Sequence, residues 1–164
     1  MTTNTMDHEQ VTTATNKKTK ITITATGNPP SFAMNSQFEN GGGHQNGSKL
    51  QFDQNAGAFT LTFELADQSG LGLSFYPDAA DSLWVSSNAI CPVQPGNGGG
   101  AITFGTVKSG KLTADNANLV KADLAFELRF TSSSPGSTPP YIYDPTIGNG
   151  GTGNMDEGKG EGCD

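Results

Sequence analysis

The sequence predicts an all-β chain: a single antiparallel, immunoglobulin-like β-sandwich of about eight strands flanked by disordered tails. Three observations predict it. Ala58 to Ala66 alternates, with Phe59, Leu61, Phe63 and Leu65 on one parity and Thr60, Thr62 and Glu64 on the other. Asp123 to Phe130 repeats the pattern, Leu124, Phe126, Leu128 and Phe130 against Ala125, Glu127 and Arg129. A period of two places one face in a core and one in water, the habit of antiparallel sheets. The third observation is that turn-rich stretches recur throughout and no helical periodicity of three turns is found. The eight apolar residues of the two runs are expected to be buried, and Glu64, Glu127 and Arg129 exposed.

The elements follow in order. Thr19 to Thr26 is a strand with Ile21, Ile23 and Ala25 inward, ended by Gly27-Asn28-Pro29-Pro30. Phe32 to Phe38 alternates again, and Glu39 to Ser48 reads as a loop built on Gly41-Gly42-Gly43. Leu50 and Phe52 mark a short strand before the turn at Asn55-Ala56-Gly57. Asp67-Gln68-Ser69-Gly70 reads as the turn of a hairpin whose returning strand carries Leu71, Leu73 and Phe75. Pro77 to Asp81 is a turn or single helical turn before Leu83-Trp84-Val85. Pro92 to Gly100 is a loop; Ala101 to Val107 and Lys111 to Thr113 flank a turn at Ser109-Gly110. Asn116 to Ala122 leans to strand, and a Ser/Pro/Gly loop from Ser132 leads to Tyr141-Ile142-Tyr143.

Leu, Ile, Val and Phe make up about 18% of the 164 residues, a fraction typical of disorder, but almost all lie between Thr19 and Ile147. The expected organisation is a polar N-terminal arm over 1–18, a domain over 19–147 and a Gly-rich acidic tail over 148–164. The tail holds seven glycines and four acids, with no Leu, Ile, Val or Phe. Ordering it costs about 1–2 kcal/mol per residue with little to bury in return, so deletion after Asn149 is expected to leave stability unchanged. Order there would need a cation on Asp156 and Glu157, a neighbouring chain, or a disulfide through Cys163.

The net charge of −7 and one small basic cluster, Lys17, Lys18 and Lys20, offer no nucleic-acid footprint. Those lysines read as a solvated strand edge that discourages aggregation. The chain begins without an apolar secretory region, and no stretch nears the roughly 20 apolar residues of a membrane span. The expectation is a soluble, cytoplasmic protein with Cys91 and Cys163 as free thiols.

Catalysis is poorly supplied. His8 and His44 lie in presumed mobile segments, and the nucleophile-elbow, phosphate-loop and zinc-protease motifs are missing. No cofactor or catalytic residue is assigned, and zinc is disfavoured. Asp78 and Asp81 share one turn and are the candidate calcium ligands, against the common role of Asp in turns. Trp84, Tyr141 and Tyr143 are the candidate glycan-stacking residues, against a plain core role. The leading function is a non-enzymatic protein-interaction or self-assembly domain that presents sheet edges and loops. The competing reading is a glycan- or calcium-binding module.

The segment Tyr143-Asp144-Pro145-Thr146-Ile147-Gly148-Asn149 resembles the bacterial DP-EP family in its Asp-Pro-x-Ile-x-Asn stretch after the last strand. The resemblance covers about ten residues, and Gly150-Gly151-Thr152 stands where a Glu-Pro pair would follow. It implies an immunoglobulin-like fold and no catalytic residue.

Overall fold

A computed structural model describes residues 15–87 and 89–151. Over that span the chain forms twelve strands and one short helix. These are β1 (Lys17–Thr26), β2 (Ser31–Glu39), β3 (Gly43–Asn46), β4 (Lys49–Phe52), β5 (Phe59–Gln68), β6 (Leu73–Phe75), α1 (Ala79–Ser82), β7 (Leu83–Ser87), β8 (Ile102–Lys108), β9 (Lys111–Asn116), β10 (Ala122–Ser132), β11 (Tyr141–Tyr143) and β12 (Thr146–Asn149). Five strands make sheet A in the order β2-β1-β5-β9-β8, and the other seven make sheet B. The all-β expectation holds. The purely antiparallel one does not, because β1 runs parallel to β5 and β4 parallel to β12. The count of about eight is exceeded because pieces of three or four residues each pair too.

The two alternating runs become β5 and β10, one in each sheet. Their apolar faces meet in one core, where the Phe63 and Phe126 ring centroids lie 6.0 Å apart. Phe59, Leu61, Phe63, Leu124, Phe126, Leu128 and Phe130 are each 1% exposed or less, while Leu65 is half-buried against the same core. β10 is the organising strand of sheet B. β12 and β11 pair along one side of it and β7 and β6 along the other.

Asp67 to Gly70 does not close a hairpin. β5 belongs to sheet A and β6 pairs with β10 in sheet B, so this turn carries the chain between sheets. Asp67 shapes the corner: its carboxylate accepts from Ser69 N (2.9 Å), Ser69 Oγ (2.5 Å) and Leu73 N (2.8 Å). Burial raises its pKa, and these donors more than offset the rise, so the net shift is downward.

Other boundaries move. β1 begins at Lys17 and lies between β2 and β5, so the lysine cluster sits on an interior strand. There Lys20 pairs with Glu64 at 3.0 Å. β3 falls inside the expected Gly-rich loop, and 117–121 is loop where a strand was expected. The arm expected over 1–18 lies outside the described residues except for 15–18, and the tail expected over 148–164 except for 148–151.

Those four residues are part of the fold. Gly148 and Asn149 complete β12, Gly150 N donates to Phe52 O (2.9 Å), and Asn55 N donates to Gly151 O (2.8 Å). The domain therefore ends no earlier than Gly151. A chain stopped at Asn149 is expected to be less stable than one stopped at Gly151 by about 2 kcal/mol, the value of two to three buried hydrogen bonds. Denaturant unfolding of the two truncations measures this, and equal midpoints would refute it.

Candidate functional site

The edges of both sheets are blunted. On β2, the terminal strand of sheet A, Gln45 Nε2 donates to Met34 O (2.8 Å) and occupies the middle of the free edge. On β8 the ladder breaks between Phe104 and Val107, and Thr113 Oγ1 satisfies both Thr106 N (3.0 Å) and Thr106 O (3.3 Å). The edge of β7 is taken by the following loop, through Val85 N to Gly96 O (2.9 Å) and Gly98 N to Val85 O (3.0 Å). β3 and β11 are four and three residues long. Plugs, bulges and short edge strands are the devices that prevent strand-to-strand growth.

The loops differ. Five large hydrophobic residues are exposed among the described residues, and four of them sit on two loops: Ile90 (66%), Val93 (89%), Leu119 (67%) and Val120 (71%). Both loops border the start of β10: Ala89 N donates to Asp123 O on that strand (2.8 Å), and Leu119 and Val120 immediately precede it in the chain. Pro92 is buried between Ile90 and Val93, and Cys91 is disulfide-bonded. This corrects the expectation of a free Cys91 thiol. Cys163, the other cysteine of the chain, lies outside the described residues.

A second cluster occupies the outer face of sheet B. Trp84 on β7 is paired in register with Glu127 on β10 and points outward, away from the core role and from the two tyrosines. Tyr141 and Tyr143 pair with Phe130 and Leu128 and face inward, Tyr143 stacking on Phe32 at 5.7 Å. The fold therefore does not assemble Trp84, Tyr141 and Tyr143 into one platform. Burial raises the Tyr143 pKa. Tyr141 borders a shallow recess of about 250 Å³ with Asn28, Leu71, Ser134, Ser137 and Thr138.

Arg129 Nη1 donates to Glu127 Oε2 (2.7 Å), and its guanidinium lies 3.7 Å from the centre of the Trp84 ring. Glu127, expected in solvent, is 8% exposed, and Arg129 is half-buried. Parity gave the correct face for both residues, but Trp84 and their own ion pair cover it. Asp144, at the bend between β11 and β12, has Oδ1 buried without a hydrogen bond. Burial, and then the charge of Glu127, push its carboxyl up to about 6 against a lowering by Arg129.

Because the folded state binds this proton more tightly than the unfolded chain, Asp144 does not weaken the fold below its unfolded pKa near 4. Its penalty develops as pH rises through about 6 and is complete above that. Two pK units correspond to about 3 kcal/mol, which solvent screening at this half-buried carboxyl reduces to about 1. Asp144→Asn is expected to raise the melting temperature at about pH 7.5 and leave it unchanged at about pH 4. Thermal denaturation at both pH values checks this, and destabilisation at both would refute it.

Asp78 caps α1, its side chain accepting from Ala80 N at 2.9 Å, and Asp81 lies in the first turn of that helix. Among the described residues no three His, Cys, Asp or Glu side chains are grouped to hold a metal. None of their helices is long and apolar enough to cross a membrane. The chain matches no family model and no curated protein.

Proposed function

We propose that this chain is a non-enzymatic protein-interaction module that docks through the loop rim at the start of β10, with a second copy of itself as the occupant to test. The observation that carries this reading is the exposure of Ile90, Val93, Leu119 and Val120 on two loops that border the start of β10, the first tied to that strand by the Ala89–Asp123 hydrogen bond. Exposed aliphatic side chains gathered near one strand end are the kind of surface that marks an interaction site. The blunted edges favour the loops over the edges as the docking surface.

Burying four such side chains is worth on the order of 6–10 kcal/mol gross, and association costs about 4–15 kcal/mol. Self-association is therefore expected to be weak, in the range of roughly tens of micromolar or above. Sedimentation velocity across a concentration series should show a reversible shift, abolished in Val93→Ser/Val120→Ser. A strictly monomeric wild type at millimolar concentration refutes the self-association version.

The disulfide at Cys91 supports an oxidising compartment over the cytoplasm. The all-β architecture, two sheets sharing one core, and the Asp144–Asn149 stretch that leads into and contains β12 support reading the fold as immunoglobulin-like and akin to the DP-EP family. The two parallel strand pairs depart from a simple antiparallel sandwich. The glycan reading is supported by the hydroxyl- and amide-lined recess beside Tyr141. Glycan-array binding lost in Tyr141→Ala would place it first.

A further inference from the structure

We propose that Arg129 is a proton-controlled latch on the outer face of sheet B. With Asp144 protonated it serves Glu127 and covers Trp84; with Asp144 ionised it is drawn toward Asp144 and off the indole. Phe126 N donates to Pro145 O (3.1 Å) and Leu128 pairs with Tyr143, which sets Asp144 opposite Glu127 on β10, with Arg129 two residues further along that strand. Arg129 spends Nη1 on Glu127, leaving the rest of its five-donor fork. Asp144 Oδ1 is a buried acceptor with no donor, and Trp84 Nε1 and Ser86 Oγ are also unpartnered. These three are among only five such atoms in the described residues, so the patch is under-satisfied as it stands.

The charged groups acting on Asp144 are Glu127 and Arg129, both from β10. β7 contributes Trp84 and Ser86, which carry no charge. β11 contributes Tyr143, which is turned to the core, and β12 begins with Thr146. Lys49 and Asp123 lie further along the sheet and pair with each other at 3.0 Å. Burial and the Glu127 charge place the Asp144 proton at about 6, within reach of mild acid.

Trp84 is the only tryptophan in the chain, so its fluorescence reads the patch directly. The two histidines, His8 and His44, are replaced by glutamine to remove their titration from the same range. In that background the emission should change with a midpoint near 6 while far-UV circular dichroism stays constant. Asp144→Asn should abolish the change, and Glu127→Gln should move the midpoint downward by removing a like charge. The Arg129 guanidinium NMR shift should move with the same midpoint. A flat profile between about pH 4.5 and 7.5 overturns the proposal, as does a transition that survives Asp144→Asn. An Arg129 signal that does not follow the tryptophan also overturns it, since Asp144 would then act on Trp84 directly.

Discussion

Asn149→Ala is expected to cost about 3 kcal/mol, lowering the melting temperature by roughly 6–12 °C. Asn149 on β12 and Asn116 on β9 exchange two side-chain hydrogen bonds, Asn116 Nδ2 to Asn149 Oδ1 (2.7 Å) and Asn149 Nδ2 to Asn116 Oδ1 (3.0 Å). The two residues are 3% and 0% exposed and belong to different sheets, so this amide pair bridges the sheets inside the fold. Alanine would leave the Asn116 amide buried with a donor unpaired, a penalty larger than the net value of the lost bond.

The consequence extends beyond the pair. Asn116 Oδ1 also accepts from Asn118 N (3.2 Å). Asn118 in turn donates to Asp53 O (3.0 Å) and Gly57 O (3.2 Å) and accepts from Gly151 N (3.3 Å). Asn118 holds a left-handed φ of 47°, which asparagine tolerates better than most residues. Urea unfolding of Asn149→Ala, Asn116→Ala and the double variant measures the coupling. Because the double variant removes both buried partners, its cost should fall well short of the sum of the single ones. Strict additivity would show that the two amides do not work as a pair.

These asparagines show where sequence reading stops. Asn, Gly and Thr signal turns; Asn116 and Asn118 stand in a stretch that leans to strand, and Asn149 in the expected tail. Their burial depends on which strands meet, which no local pattern records. β3 was hidden for the same reason: Gly43-His44-Gln45-Asn46 has no apolar alternation and is a strand because β4 pairs with it. The turn at Asp67 was visible as a turn but not as a sheet crossing, since a four-residue turn serves either. Glu127 was placed on the correct face and misjudged in burial, because parity is local while the cover from Trp84 comes from another strand. The loop rim was not legible: Leu119 and Val120 stand in a stretch that leans to strand, and the Ala89–Asp123 contact that ties the other loop to β10 is long-range.

Phe126→Ala is expected to destabilise the chain by about 4 kcal/mol, the upper part of the range for a fully buried phenylalanine. Phe126 is 0% exposed at the middle of β10, in the stretch that also carries the β7 ladder. A domain of this size has about 5–15 kcal/mol of total stability, so this one change removes a large share of it. Phe63→Ala, its tilted partner across the sheets, should cost a similar amount. Each single variant already forfeits the ring–ring contact, so the double variant should cost less than the sum by about 0.5–1.5 kcal/mol. Chemical denaturation of the four proteins closes the cycle. A Phe126→Ala cost below about 2 kcal/mol would mean that the strand collapses into the cavity, and that β10 is less rigidly held than its four neighbouring strands imply.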